Sequence, residues 1–368
     1  MINKIQIENF KSIENLTLEL GRVNVIIGAN GSGKTNILEA IVMGAAASAN
    51  KLDYEFLGNR LRFTSPEFMK NAFPNAKKNE TKIKFLHGKD DFSYSLINDE
   101  RDYRKWIDVD VSVSKGSQIN KIIDKLFKEG YKEFGRDVVT SIMRQNASEK
   151  GISDFLIYTP ELSYLKKFET QAQITPLGVK GEGLFYMLKQ ILGNKHNKKQ
   201  ISDIKEYLHL LDWFEDFDIP NGLMSNESKI AIKDRYINPT LNYFDQKSAN
   251  EGFLYLLFYL VLFTGENTPS FFAIDNIETG FNPKLCTELI KTLNNLAEKY
   301  DKQTIITTHN PAILDGINLN DDNQRLFIAH RNKEGKTYVE RIKSKPKTGT
   351  KLSELWTRGY IGGIPDNF

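Results

Sequence analysis

Residues 28–35 read Gly-Ala-Asn-Gly-Ser-Gly-Lys-Thr, which fills the pattern G-x-x-x-x-G-K-[ST] in every position. The chemistry this segment suits is the holding of phosphate. Glycines let successive backbone N–H groups curl around an oxyanion where β-carbons would obstruct them. Asn30, Gly31, Ser32 and Gly33 would form that cradle, and a helix starting near Lys34 would aim its positive end at the same anion. Lys34 then supplies the counter-charge for β- and γ-phosphates, and the Thr35 hydroxyl a ligand for Mg²⁺. The competing reading, an ordinary glycine-rich turn, lacks the strand before and the helix after that this sequence supplies.

Two further segments carry chemistry only in company with the first. Phe271-Phe272-Ala273-Ile274-Asp275 is an apolar run ending in an acid, as a ligand for the waters of a phosphate-bound Mg²⁺ requires; alone, such an aspartate is as readily a helix cap or turn former. Thr307-Thr308-His309-Asn310-Pro311 closes another buried run. A lone histidine is usually structural. This one follows the Asp275 strand by one helix, which places it near the carboxyl edge where open α/β sheets bind phosphates.

These groups need strands and helices to hold them. IQIENF and LTLEL alternate, VNVII is a continuous β-branched run of a strand buried on both faces, and NILEAIVMGAAA has helical spacing. Strand-like text covers Lys82 to Val113, and polar helical text 117–150. DFLIYTP is a short strand, and helical spacing runs from Leu184 to about Phe217. GFLYLLFYLVLF reads as a helix buried all round, followed by the strands SFFAID and QTIITTH and a terminal hairpin of RLFIAHR with TYVERIK. The spacing shows no internal repeat and no heptad run long enough for a coiled-coil arm.

The chain has 368 residues, 40% hydrophobic and 26% charged, with a net charge of +3. That is globular composition and too little charge to demand a polyanionic partner. The single cysteine, Cys286, excludes an internal disulfide, fits a reducing cytoplasm and reads as a small buried residue. MINKIQIENF has no signal-peptide core, and the longest apolar run, Phe253 to Phe263, is eleven residues, against roughly 20 for a membrane span. A soluble, cytoplasmic protein is expected.

IENFKSIENLTLELGRVNVIIGANGSGKTNILEAI resembles the N-terminus shared by the SMC, RecF and OLD-type ATPases, and FFAIDNIETGFNP with IITTHNPAILDGI resembles their Walker B, D-loop and switch-histidine region. The likeness covers roughly the first 45 residues and residues 245–315. It implies an α/β, ABC-type P-loop NTPase head with a mixed sheet, antiparallel N-terminal strands and helical insertions. It also implies that ATP is sandwiched with Mg²⁺ between two heads in a homodimer or higher even oligomer, that His309 senses the γ-phosphate, and that Lys11 reaches the phosphates from its own loop. The expected division is a single head over 1–368: core 1–115, 152–185 and 236–345, insertions 116–151 and 186–235, and a docking tail 346–368.

Two departures from that family bear on activity. The signature segment, roughly S-x-G in relatives, here reads SANEG; aligning on Gly252 puts Asn250 in place of the serine, and a plain helix cap is the alternative. Directly after Asp275 the family places a glutamate to orient or deprotonate water, and here stands Asn276. Glu278 matches the second acid of a D-E-P-E pattern and is either the replacement base or a salt-bridge partner. If the chain stays extended past Asp275, residues 276 and 278 project to the same side.

An OLD nuclease carries a Toprim domain after the ATPase, but 59 residues follow His309, too few for one. A separate effector, a nuclease or a toxin, is therefore expected, with a bacterial anti-phage or toxin-like gene pair as the first reading. A RecF-type DNA-repair ATPase and a nucleotide-binding scaffold without turnover are the alternatives. Residues 331–351 hold eight Lys/Arg against two Glu, and NKHNKKQ is a second basic loop. Either suits a nucleic-acid backbone or simple solvation.

Overall fold

The computed structural model describes residues 1–71, 73, 79–99, 102–112, 118–128, 135–168, 174–220, 227–238, 240–241, 243–344 and 349–363. Strands β1 (Lys4–Phe10), β2 (Ile13–Glu19) and β3 (Val23–Ile27) lead through the glycine loop into helix α1 (Lys34–Ser48). Short helices α2 (Tyr54–Gly58) and α3 (Pro66–Met69) precede β4 (Thr81–His87), β5 (Asp90–Asp99) and β6 (Asp102–Ser112). These strands form a five-stranded antiparallel sheet in the order β2-β1-β4-β5-β6. Helices α4 (Gln118–Lys128) and α5 (Gly135–Glu149) follow.

The rest of the chain builds the second layer. In order come β7 (Ile157–Tyr158), α6 (Leu162–Lys167), α7 (Leu184–Gly193), α8 (Lys198–Leu208), β8 (Phe214–Asp218) and β9 (Ala231–Asp234). They are followed by α9 (Glu251–Thr264), β10 (Phe271–Ile274), α10 (Pro283–Lys299), β11 (Gln303–Thr307), β12 (Gln324–Arg331), β13 (Thr337–Ile342) and α11 (Leu352–Thr357). A six-stranded sheet runs β13-β12-β3-β11-β10-β7, parallel throughout except for β13. The parallel register brings the carboxyl ends of β3, β10 and β11 to one edge, where open α/β sheets place their ligands.

This sheet divides two cores. Val23, Val25 and Ile27 of β3 face a cluster containing α9 and α10, whereas Ile26 faces the cluster of α1 and the antiparallel sheet. Burial on both faces explains why β3 is apolar without alternation. Gly44 lets α1 lie close on β4: a β-carbon there would stand 2.6 Å from the Phe85 ring. α9 is buried from Gly252 to Thr264, as its all-round apolar sequence requires. No helix among the described residues is long and apolar enough to cross a membrane.

One local expectation changes. Helical spacing continues to Phe217 in the sequence, but residues 214–218 form β8, paired antiparallel with β9. Phe214 stacks on Phe253 of α9 at 5.8 Å and neighbours Trp213 and Phe217, and aromatic packing of this kind overrides the periodicity of so short a run.

Candidate functional site

The loop 28–33 sits on the carboxyl end of β3, with Gly28, Gly31 and Gly33 at φ 148°, 76° and 102°, values that favour glycine. Sterics require the glycines as well. A β-carbon on Gly28 would come within 2.1 Å of the Ala329 carbonyl, and one on Gly33 within 2.1 Å of Thr337 Oγ1. The hairpin β12–β13 thus holds the loop from 300 residues away: Thr337 Oγ1 donates to the Ser32 carbonyl at 3.1 Å and shares a hydrogen bond with Ser12 Oγ at 2.7 Å. Asn36 Nδ2 donates to the same Ser12 oxygen at 2.7 Å. No side chain caps α1, so its first N–H groups are left for an anion.

Lys34 is buried and donates to the Gly28 and Ala29 carbonyls at 2.8 and 3.1 Å. Burial lowers its pKa to about 8, against the upward pull of Asp275 and Glu278. Thr35 Oγ1 lies 3.2 Å from Asp275 Oδ2. The other Asp275 oxygen accepts from Thr307 Oγ1, and that hydroxyl accepts the Asn276 N–H at 3.0 Å. Thr307 is the residue that fixes the aspartate, and the sequence reading passed over it in favour of its neighbour His309.

The donor set fits a nucleotide with Mg²⁺. Three glycines in left-handed or equivalent geometry form the cradle, Ser32 Oγ is buried without a partner, and a hydroxyl and a carboxylate stand side by side at Thr35 and Asp275. Those two would hold the ion, which when bound neutralises charge on the β- and γ-oxygens.

Past Asp275 the extended path does not continue. Asn276 is left-handed at φ 57°, and the Ile277 N–H turns back to the Thr307 carbonyl at 3.2 Å. Residues 276 and 278 therefore do not project as alternate residues of a strand. Asparagine tolerates this conformation because its short amide bonds locally. Glu278 Oε1 accepts the His309 N–H at 2.9 Å, while Oε2 is buried without a partner. Partial burial and the Lys34 charge lower the His309 pKa, offset in part by Glu278 and Asp275.

Lys11 is placed differently from the sequence expectation. Its ammonium donates to Glu39 Oε2 at 2.7 Å and to the Arg62 carbonyl at 3.0 Å, and so is committed to a buried acid on α1. Arg62 joins the same acid through Nε at 2.8 Å and reaches Asn36 Oδ1 at 3.1 Å. Burial pushes the Glu39 carboxyl up, but the two cations outweigh it and hold the group below its ordinary value. Arg62 escaped the sequence reading. A buried-face glutamate one turn beyond Thr35 was the available signal, since such an acid requires a cation.

Asn250 caps α9, its Oδ1 accepting the Gly252 N–H at 2.8 Å. A β-carbon on Gly252 would lie 3.1 Å from the Gly280 carbonyl, so this segment packs on the turn that follows Glu278. Within the chain its role is that of a cap. The C-terminal tail forms a further wall: Thr357–Gly359 and Ile361–Gly363 border a cavity of about 820 Å³ together with Ala29–Ser32, Ile328–Arg331 and Glu340. α11 is anchored by Ser353, whose N–H and Oγ bond Asp315 at 3.0 and 2.7 Å. In the basic hairpin Arg341 pairs with Asp322, and Lys336 with Glu14 and Glu334. Residues 345–348 of that basic segment and 364–368 of the tail lie outside the described residues.

A P-loop edge with Asp275, Thr35 and His309 around it, on a mixed sheet flanked by an antiparallel one, defines an ABC-like P-loop ATPase head of the SMC, RecF and OLD type. The chain belongs to the family described as "AAA domain, putative AbiEii toxin, Type IV TA system", which it matches over residues 23–315. A Methanocaldococcus jannaschii protein, MJECL10, is 27% identical over 184 residues, 48% of this chain and 80% of that protein. The RecF DNA replication and repair protein of Bacillus cytotoxicus is 45% identical over 51 residues, 14% of each chain. The OLD nuclease of Thermus scotoductus is 46% identical over 41 residues, 11% of this chain and 8% of the nuclease. The chain thus spans a small part of RecF and of the OLD nuclease. Among solved structures, an SMC head bound to the C-terminal winged-helix domain of ScpA matches with a TM-score of 0.59 at 14% identity, covering 93% of this chain and 98% of that one, a likeness of fold.

Proposed function

We propose that the protein binds ATP with Mg²⁺ at the 28–35 loop, dimerises around it, hydrolyses it slowly, and acts as a nucleotide-gated switch for a separate effector, a nuclease or toxin, in a bacterial anti-phage or toxin-like system. The chain acts as one head with the core, insertions and tail divided as in the sequence reading. Asn30, Gly31, Ser32 and Gly33 cradle phosphate, and Lys34 neutralises it, while Thr35 and Asp275 hold the ion. Asn250 and Gly252 of a second copy close the site over the γ-phosphate. His309 reads that phosphate, and Asn276 orients the attacking water.

The observation that carries this reading is the pair Asn276 and Glu278. An amide cannot take the proton of water. The carboxylate two residues on has one oxygen committed to the His309 N–H. The edge therefore has the groups to bind and sense a triphosphate, while Glu278, the one candidate base beside Asn276, is half engaged by the His309 N–H, which suits a switch better than a motor. Light scattering with a non-hydrolysable ATP analogue, together with single-turnover kinetics, tests it. Nucleotide-driven dimers and slow turnover are expected; fast turnover by a permanent monomer would overturn it.

A RecF- or SMC-like DNA-binding ATPase is the second reading, favoured by the RecF identity over 51 residues and by the basic 331–351 segment. ATP-stimulated retention of duplex DNA, lost in 0.3 M salt, would select it.

A further inference from the structure

Helix α9 and the turn after Asp275 lie directly on each other. Gly252, Tyr255 and Tyr259 recur at i, i+3 and i+7 on one face of α9. The Gly252 face approaches the Gly280 carbonyl, and a β-carbon on Gly280 would strike the Tyr255 ring at 2.6 Å. The Tyr255 and Tyr259 rings both pack on Phe281, at 6.3 and 6.1 Å. The 278–281 turn is therefore seated on the helix that begins at the Asn250 cap.

Inside this contact two polar atoms are buried without partners: Glu278 Oε2 and Tyr259 Oη. One is a carboxylate oxygen, the other a hydroxyl donor. Burying either without a hydrogen bond is costly, and pairing them removes both costs. The nearby alternatives are engaged. The Tyr255 hydroxyl is turned to the Leu162 backbone. Cys286 Sγ lies 3.9 Å from the Phe281 carbonyl and accepts from Asn310 Nδ2 at 3.5 Å. Burial, then Tyr255, Glu278 and Cys286, hold the Tyr259 phenol protonated well above its ordinary range, so it remains a donor at any physiological pH.

We propose that Tyr259 is a positioning residue for the His309 switch: its hydroxyl holds the free oxygen of Glu278 through one buried water, and so keeps the other oxygen on the His309 N–H. The chain of contacts then runs from the Asn250 cap through the rigid helix to Tyr259, on to Glu278, and to the backbone of His309. A second copy pressing on the cap would shift Tyr259, and with it the histidine. The link rests on the nucleotide-switch reading for its purpose but not for its existence.

The test therefore has a readout that needs no nucleotide. Tyr259→Phe keeps the ring and its packing on Phe281 and deletes only the donor. Exchange of the His309 amide with deuterium, followed by residue-resolved mass spectrometry, should accelerate about tenfold, approaching the rate of Glu278→Ala, in which the acceptor itself is gone. In the double variant the Phe substitution should add nothing. With ATP, Tyr259→Phe should lower kcat at unchanged KM. Wild-type exchange at His309 in a folded Tyr259→Phe protein would overturn the proposal. Loss of the nucleotide reading would show separately, as an absence of ATP binding by the wild type with the exchange effect intact.

Discussion

Replacing Asn276 by glutamate sets two effects against each other, and the structure gives the size of each. The residue sits at φ 57°, where an L-residue other than asparagine, aspartate or glycine loses roughly 1–2 kcal/mol. Because asparagine already carries part of that cost, the substitution should destabilise by about 1 kcal/mol, a fall of roughly 2–4 °C in Tm for a domain of a few hundred residues. Against this, a carboxylate beside Asp275 supplies the proton acceptor that the amide lacks, worth about 10²–10⁴ in rate. Asn276→Glu should therefore melt slightly lower and turn over far faster, with ATP affinity unchanged. Single-turnover release of labelled phosphate, with melting followed by circular dichroism, measures both. Asn276→Gly is the control, since glycine takes the same φ without strain and offers no side chain. If Asn276→Glu binds ATP normally but gains no rate, or if Asn276→Gly gains as much, the missing base is not what limits hydrolysis.

Lys34→Ala should abolish ATP binding by calorimetry while leaving the circular dichroism spectrum intact. The Lys34 pKa of about 8 gives a sign for pH: the counter-charge is present below that value and lost above it, so ATP affinity should fall by about fivefold between pH 8 and 9, with proton uptake on binding in that window. Glu39→Ala strands the half-buried Lys11 ammonium and should cost about 3 kcal/mol in urea unfolding, the low end for a buried pair, whereas a surface pair would cost under about 1. Asn250→Asp keeps the α9 cap, because aspartate caps as well as asparagine, but sets a negative charge where a second copy's γ-phosphate would lie. The monomer should melt no lower, and light scattering should show weaker ATP-driven dimers.

What the sequence makes legible is whatever is local to a strand end. Gly28–Thr35, Asp275 and His309 each follow an apolar run of their own, so motif and element confirm one another, and all three reach the same edge because β3, β10 and β11 are parallel. What it hides depends on distant partners. Lys11 meets Glu39 across 28 residues and Thr337 meets Ser32 across 305, and no spacing rule spans such gaps. Asn276 lies between. Its type is one of the few that accept a left-handed backbone, yet only the observed φ shows that the strand ends one residue earlier than the pattern of alternate acids requires.

The P-loop is held from three sides by other segments of the chain, and this bears on how a nucleotide-gated switch of the proposed kind would transmit its state. Ser12 of the β1–β2 turn bonds Asn36 just past the loop, the β12–β13 hairpin reaches the loop through Thr337 and Ala329, and the tail through the approach of Gly363 to Gly28. The tail is also tied, by Ser353 and Asp315, to the 3₁₀ turn Pro311–Gly316 that follows His309. The loop and His309 thus lie at opposite ends of one element, α11 and the turn beyond it. A packed element of this kind has discrete arrangements rather than a continuum, so its docking can differ between nucleotide states only if the ligand contacts the two states unequally. Under the proposed reading, the loop and the histidine are places where this chain would make such contacts. The exposed side of the same tail, with Arg358 and Tyr360 open to solvent, is where a change in docking would become visible to another protein.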